Sequence, residues 1–82
     1  MYVAYKEMGQ YLKTLQPFKG NSVTATNQKG IYTVLSYDTV ILVARSADDV
    51  LYYDSRKYSN TTSRLQNILK RVFNTDNAEI KR

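Results

Sequence analysis

The stretch Ser22-Val23-Thr24-Ala25-Thr26-Asn27-Gln28-Lys29-Gly30-Ile31-Tyr32-Thr33-Val34-Leu35-Ser36 decides the fold. Its first and last thirds are rich in β-branched residues and alternate in side-chain character, the pattern of half-buried strands. Between them, Asn27 to Gly30 reads as a four-residue turn with glycine last. Downstream, Val40 to Ala44 is a continuous apolar run of strand length, expected to be a central strand covered by a helix on one face. Ser46-Ala47-Asp48-Asp49 marks another turn, and Val50 to Tyr53 reads as a fourth strand, antiparallel to the third.

Helices are expected at both ends. Tyr5, Met8, Leu12 and Leu15 recur at spacings of three and four, which predicts an amphipathic helix over roughly residues 2–15, ended by Pro17. Leu65, Ile68, Leu69, Val72 and Phe73 line one face of a second helix. Ser63 and Gln66 have the spacing of a capping box at its start. Residues 77–82 read as a frayed tail. The expected fold is α+β: one domain over 1–82, a four-stranded antiparallel sheet flanked by an N-terminal and a C-terminal helix, in the order α-β-β-β-β-α.

Composition then narrows the chemistry. With 82 residues, no Cys, no His and no Trp, the chain can build no disulfide framework, zinc finger or imidazole base. Asp48, Asp49 and Asp54 lack the spacing of a cation-binding loop, and the Asp pair reads as a turn. Tyr53 and Lys57 imitate a dehydrogenase pair without any glycine-rich nucleotide loop. No catalytic residue, metal site or cofactor is therefore expected, and the protein is read as non-enzymatic. The longest apolar run is about a quarter of a membrane span, and the N-terminus lacks the apolar segment of a signal peptide. A cytoplasmic protein without a membrane partner is the expectation.

Eight Tyr and a net charge of +5 remain to be explained. From Leu51 to Phe73 there are five bases (Arg56, Lys57, Arg64, Lys70 and Arg71) against one acid, Asp54. Within this segment lies Tyr58-Ser59-Asn60-Thr61-Thr62-Ser63, whose hydroxyls precede a helix and can either cap it or meet an anion. One hydroxyl is enough to cap, and here there are four. Arg64, Asn67, Lys70 and Arg71 fall off the apolar stripe; they form either a base-reading face or a solvated basic one. Tyr52 and Tyr53 must point to opposite sides of the sheet. One of the two is expected to be exposed, along with Tyr32 or Tyr37, and an exposed ring beside Arg56 and Lys57 suits stacking or a protein contact. The expected binding residues are Tyr53, Arg56, Lys57, Tyr58, Thr61, Thr62, Arg64, Asn67, Lys70 and Arg71.

Two segments carry a resemblance. Ser36-Tyr37-Asp38-Thr39-Val40-Ile41, followed by Lys57-Tyr58-Ser59-Asn60-Thr61-Thr62-Ser63-Arg64-Leu65-Gln66-Asn67, resembles a family of small phage and prophage accessory proteins of unassigned activity. It extends over roughly residues 20–75, and Leu65 stands where that family often has His. The resemblance implies a bacterial host cell and supplies no catalytic residue. It also suggests that Thr39 or Tyr37 hydrogen-bonds the hydroxyl corner, tying strand to helix. The leading functional expectation is an inhibitor of a host defence system, anti-CRISPR-like, that binds a nuclease complex through its basic, Tyr-containing face. The alternative is a direct DNA- or RNA-binding accessory or regulatory protein. A homodimer with a structural role is a third.

Overall fold

The computed structural model describes residues 2–76 and 78–82. Its elements are α1 (Tyr5–Lys13), β1 (Phe18–Lys19), β2 (Val23–Gln28), β3 (Ile31–Ser36), β4 (Thr39–Ser46), β5 (Asp49–Asp54), α2 (Asn60–Val72) and β6 (Glu79–Lys81). The sheet has six strands in the order β1-β2-β3-β4-β5-β6. Neighbours are antiparallel except β5 and β6, which run parallel. The class is α+β, but the expected four-stranded antiparallel sheet is overturned on both counts. The added strands are only two and three residues long, too short to show a period of two in sequence. They sit at the two edges, β1 against β2 and β6 against β5.

The expected frayed tail is also corrected. The chain leaves β5, crosses through α2 and returns beside the strand it left, which makes β5–β6 parallel. Lys81 accepts hydrogen bonds from the Ser55 backbone N–H at 2.8 Å and from its hydroxyl at 3.0 Å. Ile80 packs on the core. Asn77, the first residue of the expected tail, lies outside the described residues.

The β2–β3 turn is tighter than expected. Gln28 pairs with Ile31, leaving only Lys29 and Gly30 as the loop. Both have positive φ, 53° and 82°, the requirement of a type I′ hairpin matched to strand twist. An irregularity between Val34 and Leu35 gives β4 one extra residue, so Ile41 and Leu42 are both buried. Val40 and Val43 then face the other side.

Inward residues of every long strand, including Val23, Tyr32, Val34, Leu42 and Tyr53, join one cluster with Met8 and Leu12 of α1 and Leu65 and Leu69 of α2. Truncating such a buried leucine to alanine costs about 2–5 kcal/mol. Both helices thus cover one sheet face, and their own contact brings α1 beside α2. Gly20 belongs to this packing: a Cβ there would stand 2.7 Å from the Met8 side chain and 3.1 Å from the Val3 carbonyl oxygen. Among the described residues, no helix is long and apolar enough to cross a membrane.

Candidate functional site

Asp54 ends β5 fully buried, and the loop behind it is built to satisfy its charge. The Arg56 backbone N–H donates to Oδ1 at 3.0 Å, and the guanidinium donates from Nε at 3.2 Å and from Nη2 to Oδ2 at 3.0 Å. The Tyr58 hydroxyl donates to the same carboxylate. Burial alone would push the carboxyl up, but the hydrogen bonds from Arg56 and Tyr58 and the guanidinium charge outweigh it and hold Asp54 below its ordinary value. Gln66 of α2 closes the loop by donating to the carbonyls of Asp54 and Arg56 at 2.8 and 2.9 Å. Arg56 is therefore a structural counter-ion, stacked at 5.4 Å over the Tyr58 ring.

Of the adjacent pair, Tyr53, expected among the binding residues, is the buried one. It is 2% exposed, and its hydroxyl reaches the Gln66 carbonyl at 3.4 Å. Burial, and then the Asp54 charge, push its phenol up. Tyr52 takes the opposite, half-buried position. Tyr32 is buried as well, whereas Tyr37 is 63% exposed.

The hydroxyl corner ties sheet to helix. Ser59, not Ser63, is the N-cap, accepting from the Thr62 N–H at 3.2 Å, so the helix starts at Asn60. Ser63 lies one turn further in. Thr62 is 3% exposed and shares a 2.8 Å hydroxyl bond with the equally buried Ser36 of β3. Strand and corner are joined as the two motifs suggested, but through Ser36 rather than Thr39 or Tyr37. Those two residues, with Ser36, Ile41, Tyr58, Ser59 and Thr62, line a pocket of about 250 Å3. The Thr61 carbonyl faces α1 and accepts from the Tyr5 hydroxyl at 3.5 Å.

A larger groove of about 480 Å3 runs between the helices. Tyr5, Lys6, Gly9 and Lys13 form its α1 side; Arg64, Ile68, Arg71 and Val72 form its α2 side. Lys6 and Lys13 are seven residues apart, as are Arg64 and Arg71, so each pair sits two turns or ~10.5 Å apart on its helix. No carboxylate lines the groove, and none of the four cations is in an ion pair among the described residues. The Arg64 guanidinium lies 5.4 Å from the Tyr5 ring centroid, a cation–π contact.

The expected site residues thus divide. Arg64 and Arg71 come together with two lysines; Arg56, Tyr58 and Tyr53 surround Asp54; Thr62 and Thr61 hold the corner. Lys57, Asn67 and Lys70 are exposed and line neither the groove nor the corner pocket. Lys6 and Lys13 were missing from the expected set. Their seven-residue spacing on a predicted helix, matching that of Arg64 and Arg71, was the available signal.

Fold and surface define a small α+β domain: a mixed six-stranded sheet with two helices on one face and a cationic groove between them. The chain belongs to a family of unknown function (DUF8033), whose sequence model matches residues 6–82. No curated protein and no solved structure matches it.

Proposed function

We propose that the protein acts by binding, without chemistry, and that its ligand is the phosphate backbone of a nucleic acid laid along the α1–α2 groove. The observation that carries this is the arrangement of Lys6, Lys13, Arg64 and Arg71 in two rows with no carboxylate between them. Cations neutralised by acids attract nothing, but unneutralised ones in a concave surface raise the local concentration of anions. Each phosphate they meet releases condensed counter-ions. Four contacts correspond to a log–log salt slope of about −3 to −3.5. Fluorescence anisotropy with labelled DNA and RNA oligonucleotides, titrated from about 50 to 300 mM salt, measures that slope. No binding of either polymer at the low-salt end overturns the reading.

The resemblance to phage accessory proteins favours a second reading. The same four cations, set against an acidic protein surface of a host nuclease complex, would make the protein an inhibitor of anti-CRISPR type. Undiminished interference in cells expressing the protein, across several CRISPR system types, counts against it.

A further inference from the structure

Tyr37 is the first residue of the two-residue β3–β4 turn and has a φ of 54°. A bulky L-residue pays for that conformation with its Cβ, whereas glycine adopts it freely. The turn is nevertheless held firmly, since the Tyr37 N–H donates to the Ser22 carbonyl. Its ring is 63% exposed and forms one wall of the corner pocket. As at Lys29, positive φ at the first loop position belongs to a two-residue hairpin, and here it sets an exposed aromatic beside a cavity.

Tyr58, 41% exposed, lines the same pocket. Its position is fixed twice, by its hydroxyl on Asp54 and by Arg56 over one face of its ring. Ile41 supplies an apolar lining, and Thr39 and Ser59 supply hydroxyls. At about 250 Å3 the pocket is below the ~300–1,000 Å3 of sites for drug-sized ligands, which suits it to a single planar ring system.

The pocket also adjoins the groove. Tyr5 and Arg64 line the groove, and the Tyr5 hydroxyl bonds the Ser22 hydroxyl at 3.0 Å and approaches the Thr61 carbonyl. Ser22 accepts the Tyr37 N–H, and Thr61 neighbours the pocket residue Thr62. Hydrogen bonds through Tyr5, Ser22 and Thr61 thus link the groove to the pocket.

Resting on the nucleic-acid reading above, we infer that the polymer is single-stranded, with its backbone in the groove and one unpaired base held in the Tyr37–Tyr58 pocket. A duplex presents the same phosphates but no free base face.

The test is anisotropy with a labelled single-stranded oligonucleotide, its duplex, and a strand of the same length carrying abasic sites. The single strand is expected to bind about tenfold tighter than the other two. Tyr37→Ala should lower single-strand affinity about fivefold or more while leaving the salt slope unchanged, and Tyr37→Phe should stay within about twofold. Tyr37→Gly separates binding from folding: it relieves the turn and raises the melting temperature, yet loses single-strand affinity like the alanine variant. Equal binding of all three ligands, with no effect of Tyr37→Ala, overturns the inference while the groove reading stands. Absence of binding to all three overturns both.

Discussion

Arg56 and Arg64 stand eight residues apart, and each guanidinium lies 5.4 Å from a tyrosine ring centroid. One difference separates them. Arg56 faces the fully buried carboxylate of Asp54, whereas Arg64 opens onto a groove with no carboxylate in its lining. A buried acid left alone would be costly, so the loop around Asp54 commits a guanidinium, a phenol and a backbone N–H to it. No comparable demand falls on Arg64. Two arginines that look equivalent in a charge count are thus a structural counter-ion and an available cation. Charge per segment measures neither what is buried nor what a partner meets.

That contrast predicts opposite outcomes for removing each charge centre. The largest effect is expected for Asp54→Ala, which abolishes charge-assisted bonds to Arg56 and Tyr58. About 2–3 kcal/mol of stability should be lost, a fall in Tm of about 10–20 °C by calorimetry. Nucleic-acid affinity, measured where the variant is folded, should not fall, because Arg56 is freed rather than removed. A variant that melts with the wild type would show that the carboxylate network is not structural.

The double variant Arg64→Ala/Arg71→Ala should do the reverse. Affinity should fall about tenfold at moderate salt, and the salt slope should become shallower by about 1.4–1.8. Its stability should drop only by the loss of stem packing and of the contact with Tyr5, about 0.5–1 kcal/mol. A large loss of stability without a change in slope would break the comparison.

Acid titration is a gentler probe of the same carboxylate. Folded Asp54 has a lowered pKa, so its ionised form stabilises the protein above the unfolded value near 3.9, and that contribution disappears as pH falls through the folded value. Urea midpoints should therefore drop between about pH 5 and pH 2 by more in the wild type than in Asp54→Asn, where this group no longer titrates. Parallel curves would mean the folded environment does not shift the carboxyl.

The parts of the fold legible in sequence are those set by local pattern. The alternation through Val23–Ser36 gives the hairpin, and the spacing of Leu65, Leu69 and Phe73 gives the last helix. What local pattern cannot carry was misread. Leu51 is skipped in the β4–β5 register, where Val43 pairs with Tyr52 and Ala44 with Val50. That irregularity sets Tyr53 inward, and nothing in Val50 to Tyr53 announces it. The true cap, Ser59, is selected among four hydroxyls by a tertiary bond, Ser36 to Thr62. β6 exists only because α2 returns the chain to β5. At the candidate site, the hydroxyl corner and two of the four groove cations were visible, but pairing them with Lys6 and Lys13 requires contact between residues more than fifty positions apart.

Lys70 and Arg71 reduce the comparison to two adjacent cations on one helix. They are exposed neighbours, but successive residues are rotated by ~100° about a helix axis, so they do not share a face. Arg71 lines the groove with Arg64, one pair of turns before it; Lys70 does not. If the groove, and not the summed charge of α2, captures the phosphates, Arg71→Ala should weaken binding about threefold or more and flatten the slope by about 0.7–0.9. Lys70→Ala removes the same unit of net charge and should change affinity by less than about twofold, leaving only a distant field screened over ~10 Å. Equal effects of the two would make the basic helix a diffuse attractor with no defined track, and the groove would lose its claim to be the site.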